Sequence, residues 1–89
     1  MASTIYYYQF HTVQGTVSLI PEANGRYKVM FGDENLGSYH SAAAAADDVG
    51  GGHTFTPSNG ADFEKLGVSQ DIGDWEKKVF AEIKRLRPG

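Results

Sequence analysis

The chain has 89 residues, a formal net charge of −3 and no cysteine. This length fits one domain, so we expect residues 1–89 to fold as a single unit. The lack of cysteine excludes a disulfide scaffold and thiolate metal sites, and it favours a cytoplasmic protein over a small secreted one. The longest apolar run is a block of five alanines, so we expect neither a signal peptide nor a membrane partner.

The first 39 residues show the two-residue alternation and the aromatic and β-branched side chains of β-strands. Glycine, proline and asparagine separate these runs at positions typical of tight turns. Aromatic side chains occur on both faces of the first run, so we expect that strand to be central or partly covered on both sides. The pattern predicts a meander of three or four antiparallel strands, at residues 4–11, 16–20, 26–31 and 36–39.

An α-helix packed through alanine is predicted after the last of these strands. Ser41 can cap its N-terminus, and residues 42–49 combine high helix propensity with small side chains. Small side chains allow a helix to approach a sheet closely. Three glycines at residues 50–52 should end the helix, and residues 54–68 are predicted to form a long connection.

A second helix is predicted over residues 71–87. Its apolar residues fall on one narrow arc at helical spacing, namely Ile72, Trp75, Val79, Ile83 and Leu86. We expect Trp75 to anchor this helix on the sheet. A candidate basic surface lies on the opposite arc and comprises Lys77, Lys78, Lys84 and Arg85. The predicted class is therefore α+β, an antiparallel three- to four-stranded sheet packed by an alanine-rich helix and a C-terminal amphipathic helix.

The sequence LGSYHS at residues 36–41, preceded by GRYKV at residues 25–29 and followed by alanines, resembles the plant ethylene-response-factor type of DNA-binding domain. The resemblance spans residues 25–49. It implies a three-stranded sheet that leads into an alanine-rich helix, and DNA binding through arginines and tryptophans that project from the sheet. In this chain the comparable strands offer Arg26 and Lys28 and no tryptophan.

A second resemblance covers residues 50–75. The sequence GGHTF at residues 51–55, the sequence PSNG at residues 57–60 and the later DIGDW at residues 71–75 are similar to a pattern in short uncharacterised bacterial proteins. This resemblance implies a bacterial origin, and the favoured context for the chain is bacterial or that of a mobile element. It brings no activity with it.

Groups suited to catalysis or metal binding do not form a recognisable motif. Four possible metal ligands lie close together in the sequence: His40, Asp47, Asp48 and His53. Their spacing does not place two imidazoles on one face of a helix. Ser58 with His53 and Asp62 has the residue types of a nucleophile, a base and an orienting acid, but the glycine-flanked serine of a nucleophile elbow is missing. We therefore expect no catalytic residue, no metal and no cofactor.

Charge and tyrosine content favour a protein partner. Residues 1–73 contain three basic and eight acidic side chains, whereas residues 74–89 contain five basic and three acidic ones. An acidic domain with five tyrosines is better suited to protein interfaces than to a phosphate backbone. The candidate protein-binding residues are Tyr7, Tyr39 and His53. The first alternative is nucleic-acid binding through the sheet or the basic C-terminal helix, and a small hydrolase is the third hypothesis.

Overall fold

The computed structural model describes residues 2–53 and 56–84, which form one antiparallel sheet and one α-helix. The strands are β1 (Ala2–Thr12), β2 (Gly15–Pro21), β3 (Tyr27–Phe31), β4 (Glu34–Tyr39) and β5 (Glu76–Lys84), and the helix is α1 (Ala42–Gly50). A single 3-10 turn at Ile72–Asp74 precedes β5. The strand order across the sheet is β4-β3-β2-β1-β5. The α+β class is confirmed, although the sheet has five strands and the described residues contain a single α-helix.

The alanine helix forms as the sequence predicts. The Ser41 hydroxyl accepts a hydrogen bond from the backbone N–H of Ala44 at 3.1 Å, which confirms the predicted N-cap. Ala45 and Ala46 are fully buried against the sheet, where α1 lies over β2, β3 and β4. At the other end of the helix, a Cβ atom on Gly50 would lie 2.6 Å from the backbone nitrogen of Gln70. Only glycine allows this close approach.

The hydrophobic core lies between α1 and one face of the sheet, here called the helix face. Val17, Leu19 and Val29 of the two central strands are fully buried there. The long connection after α1 closes the core, because Phe63 packs edge-on against Phe31 with ring centroids 5.2 Å apart. The opposite side of the sheet, here called the open face, carries the alternate residues of each strand.

The predicted C-terminal helix is wrong. Residues 76–84 form β5, which pairs antiparallel with β1. The apolar residues of the predicted helix lie three or four apart, a spacing that favours a helix. The first half of β1, however, requires a pairing partner that β2 does not supply. Residues 85–87 of the predicted helix lie outside the described residues. Trp75 is buried as predicted, with 5% of its surface exposed. The prediction that it anchors a helix is wrong, because it contacts Phe10 immediately before the strand β5 begins.

Candidate functional site

A two-stranded ribbon projects from the sheet. β2 pairs with β1 only at residues 8–12 of β1, whereas β5 pairs with residues 2–9. Residues 2–7 of β1 and 78–84 of β5 therefore extend past the paired part of β2, and they are called the arm below. The Cα envelope is accordingly long, 54 Å against 21 and 19 Å. A two-stranded ribbon has little stability of its own in water, so contact with another surface would stabilise the arm.

Pro21 ends the pairing of β1 with β2. Tyr8 lies opposite Leu19, so two residues further along Tyr6 would lie opposite Pro21. Proline has no N–H and cannot donate a hydrogen bond to the Tyr6 carbonyl oxygen. That oxygen instead accepts a long hydrogen bond of 3.5 Å from the Tyr27 hydroxyl. The edge of β1 that faces β2 is consequently open from Tyr6 towards the start of the strand.

A cleft of about 490 Å³ adjoins this open edge, between the arm and the turn that joins β2 to β3. Its lining includes Thr4, Ile5, Tyr6, Pro21, Glu22 and Tyr27. Burial raises the pKa of Tyr27, and the neighbouring Tyr8 raises it further. The Tyr27 hydroxyl therefore remains a neutral hydrogen-bond donor across the physiological pH range. The cleft has mainly apolar and aromatic walls, with one carboxylate at its rim.

Both faces of the arm expose apolar side chains. Val79 on the helix face is 54% exposed, and Phe80 on the open face is 50% exposed. The Phe80 ring meets the edge of Tyr7, with ring centroids 6.2 Å apart. A β-bulge places Phe80 as an additional residue in β5 relative to β1. The arm thus presents an aromatic pair on one face and a large aliphatic side chain on the other.

The basic residues of β5 do not form the single surface predicted for a helix. Lys77 points to the helix face, where its Nζ atom lies 4.1 Å from the centroid of the Tyr6 ring. Lys78 points to the open face, and its Nζ atom is 3.9 Å from a glutamate carboxylate on the same strand. Lys84 is the last residue of β5, and Arg85 lies outside the described residues. Because successive strand residues alternate between faces, adjacent lysines cannot share one surface.

A row of polar side chains crosses the open face next to the arm. Gln9 donates to the Ser18 hydroxyl at 3.3 Å, and His11 lies 2.8 Å from the Thr16 hydroxyl and 2.7 Å from a Glu76 oxygen. A hydroxyl, an imidazole and a carboxylate in this order are also the parts of an acyl-transfer triad. The surrounding backbone N–H groups lie in the plane of the sheet, so they do not converge on an oxyanion. We interpret the row as cross-strand pairing.

The three candidate protein-binding residues lie apart. Tyr7 is on the open face of the arm, whereas Tyr39 is three strands away at the end of β4 and packs on the helix face. Burial raises the pKa of the Tyr39 phenol, and the Asp48 carboxylate raises it further. His53 follows α1, is exposed, and donates its backbone N–H to the carbonyl of Asp48 at 2.9 Å. Of the three residues, only Tyr7 belongs to the arm.

Ser58 contacts a glutamate, not the histidine considered as its base. Its hydroxyl donates to Glu34 at 2.7 Å, and its backbone N–H donates to the same carboxylate at 3.0 and 3.1 Å. These hydrogen bonds, the side-chain one foremost, lower the pKa of Glu34. The Ser58 hydroxyl therefore links the long connection to the start of β4 through a hydrogen bond.

Comparison of the chain with protein-family models, with curated proteins and with solved structures gives no match. Within residues 2–53 and 56–84, no three histidine, aspartate or glutamate side chains come together in a way that could hold a metal ion. No α-helix in the described part of the chain has the length and apolar character to cross a membrane.

Sequence reasoning missed Val79 and Phe80 as exposed residues, because on a helix both would belong to the buried side. It also missed the effect of Pro21 on strand pairing. One signal was present in the sequence: the first strand is clearly longer than the second. An antiparallel hairpin pairs strands of equal length, so the excess at the start of β1 indicates a further partner strand.

Proposed function

We propose that this chain is a non-catalytic protein-interaction module of the bacterial cytoplasm or of a mobile element, and that the arm is its contact surface. The observation that carries the proposal is the exposure of Val79 and Phe80 on a ribbon that extends past β2, β3 and β4, the strands over which α1 lies. On the open face Phe80 forms an exposed aromatic pair with Tyr7, and an exposed apolar cluster on a projecting element favours contact with another protein.

The chemistry of the arm fits a protein partner. Tyr7 and Phe80 form an aromatic pair, and aromatic residues are enriched in the energetically important centres of protein interfaces. Lys78 lies opposite Tyr7, and its Nζ atom is 3.9 Å from the Glu76 carboxylate, so the two charges partly neutralise each other. Protein interfaces commonly have an aromatic core and a polar or charged rim, and the arm has both.

Nucleic-acid binding remains the second hypothesis, and the position of the lysines argues against it. A stacking platform for single strands combines aromatic residues with a cationic groove. Here Lys77 and Lys78 lie on opposite faces of β5, and the whole chain carries a net charge of −3. We expect binding to random duplex or single-stranded DNA at physiological salt to be weaker than about 10 μM. Tighter binding that weakens steeply with salt would favour the nucleic-acid hypothesis.

The absence of catalysis is proposed from the arrangement of the polar groups. His11 is held between Thr16 and Glu76 on an exposed strand face, and Ser58 is held by Glu34. Both side chains are thus engaged in contacts that join two segments of the chain. This pattern supports a structural role for these side chains over the hydrolase hypothesis.

A capture experiment with matched variants tests the proposal. Phe80→Ser removes the exposed ring of the arm, whereas Val13→Ser removes a residue that is 95% exposed in the turn between β1 and β2. We expect Phe80→Ser to reduce capture of a partner from a lysate of the source organism by at least about fivefold, because exposed aromatic anchors dominate interface energies. Val13→Ser should capture the partner like the wild type.

Two controls make the outcome decisive. Urea melts should show that both variants are folded, because both positions are solvent-exposed and surface substitutions change stability little. Tyr7→Ala should weaken capture as Phe80→Ser does, since the two rings are in contact. If folded Phe80→Ser and Tyr7→Ala proteins capture the partner as well as the wild type, the arm is not the contact surface.

A further inference from the structure

We propose that the partner contributes an extended peptide strand that pairs with the open edge of β1 at residues 4–6, with apolar side chains in the adjoining cleft and a basic side chain near Glu22. This inference rests on the proposed function, and it specifies which backbone is bound and the chemistry of the ligand. Addition of a strand to an exposed sheet edge is an established mode of peptide recognition.

The backbone of β1 offers hydrogen-bonding groups in the required direction. The Tyr6 carbonyl oxygen faces the cleft side, because the Tyr27 hydroxyl reaches it from there. Backbone groups in a strand alternate between the two edges, so the N–H and C=O of Thr4 point to the same side as those of Tyr6. Within the described residues the ladder between β1 and β2 runs only from Tyr8 onward, and Thr4 lies four residues beyond its end. An added strand would supply hydrogen-bonding partners for the backbone groups of this edge.

The other exposed edge of the arm is protected against such pairing. The outer edge of β5 contains Lys77 and Lys78, and the bulge at Phe80 interrupts its regular pleat. Charged side chains and bulges are the usual means by which an edge strand avoids pairing with other chains. The open edge of β1, from Thr4 to Tyr7, has no charged residue and no proline. A strand would therefore add to β1 in preference to β5.

The cleft favours an apolar strand. Tyr6, Tyr27 and Pro21 form an apolar wall on the line where an added strand would run, and the volume of about 490 Å³ accommodates its side chains. Pro21 also prevents β2 from closing this space, because it cannot continue the ladder with β1. The site is consequently open to a strand from another chain while the rest of β2 remains paired.

Charge selects a basic peptide over an acidic one. Glu22 is the charged residue that lines the cleft, and its Oε1 atom accepts a hydrogen bond from Ser38 at 2.6 Å. Arg26 binds the same serine, but the ion pairs of the described residues do not include one between Arg26 and Glu22. The Arg26 guanidinium therefore neutralises this carboxylate only in part, and Glu22 can still attract a lysine or arginine on the added strand.

The test uses two capped six-residue peptides, one of alternating valine and lysine and one in which glutamate replaces every lysine. Amide chemical shifts of the folded protein are followed during titration to about 1 mM, where even weak binding is measurable. We expect the lysine peptide to shift the amides of Thr4 and Tyr6. The glutamate peptide should bind about fivefold more weakly, in line with the energy of a partly exposed ion pair.

Variants of Glu22 test the charge preference of the site, and an N-methylated peptide tests the backbone pairing. Glu22→Lys should reverse the preference between the two peptides. Glu22→Gln retains an acceptor for Ser38 and should abolish the preference even if Glu22→Lys perturbs the turn. A lysine peptide with alternate N-methyl groups should not bind, because it cannot donate to the β1 edge.

The inference is overturned if the lysine peptide leaves the amides of Thr4 and Tyr6 unshifted, if it shifts β5 instead, or if the N-methylated peptide binds equally well. Equal binding of the lysine and glutamate peptides overturns the choice of a basic ligand. Failure here is distinguishable from failure of the proposed function: a partner captured in a Phe80-dependent manner without edge pairing would leave the arm as the contact surface.

Discussion

Glu34 is the residue that joins the long connection to the sheet. Three hydrogen bonds from the hydroxyl and the backbone N–H of Ser58 converge on its carboxylate. Because a hydrogen bond to the ionised form favours that form, this contact lowers the pKa of Glu34. The contact therefore stabilises the fold at pH values above the unfolded-state pKa of the carboxyl, and the stabilisation is lost as the pH falls through the lowered pKa.

Ser58→Ala is expected to raise the pKa of Glu34 towards its ordinary range. The hydroxyl is the largest contributor to the lowered pKa, whereas the backbone N–H of residue 58 remains in the variant. An NMR titration of the Glu34 side chain measures the change, and Ser58→Thr, which keeps the hydroxyl, serves as the control. A Glu34 pKa that is the same in Ser58→Ala as in the wild type would contradict the proposed cause.

At the scale of secondary structure, the two sides of α1 differ in their burial. Ala45 and Ala46 are fully buried, whereas Ala43 on the same helix is exposed. The sequence predicts that the helix packs on the sheet and indicates Ala45 and Ala46 as its buried positions, which the structure confirms. The structure shows that the side chains of β2, β3 and β4 occupy the space next to the buried alanines.

Ala46→Glu should destabilise the domain strongly, and Ala43→Glu should not. A carboxylate at position 46 would be placed between the helix and the sheet without a partner, at a cost on the order of 3–5 kcal/mol. At position 43 the same side chain reaches solvent, with an expected change within about 0.5 kcal/mol. Urea melts measure both values. Equal stability of the two variants would contradict the packing of α1 on the sheet.

β5 shows where element prediction from the sequence fails. Its apolar residues are spaced as in a helix, and its lysines would then share one side. The strand forms instead through pairing with a segment that is distant in the sequence, since β1 and β5 are separated by more than sixty residues. β-propensity reflects the available partner and packing surface more than the local sequence. Here the unpaired first half of β1 makes residues 76–84 a strand.

For the whole molecule, the strands up to β4, the helix cap and the burial of Trp75 followed from the sequence. Alternation, turn residues and small side chains are local signals, and they sufficed for these elements. Of the residues in the candidate site, only Tyr7 was predicted from the sequence. Phe80 and the open edge of β1 gain their significance from the ladder that Pro21 interrupts and from the bulge in β5, and both are properties of strand pairing.

The arrangement of the molecule separates stability from the proposed recognition. The core lies under α1 and the long connection, at the end of the sheet away from the arm. Substitutions in the arm should therefore leave the packing of the core intact. Variants of its surface residues are for this reason suitable for testing partner binding. A projecting ribbon also reaches a partner without bringing the acidic body of the domain close to it.

Site-specific photocrosslinking shows directly whether the arm contacts a partner protein. The photoreactive residue benzoylphenylalanine is placed at position 80 and, as the matched control, at position 13, and cells of the source organism expressing either protein are irradiated. We expect a discrete light-dependent protein adduct at position 80 and none at position 13, because only the former lies on the arm. No adduct at position 80, or the same adduct at both positions, would contradict it.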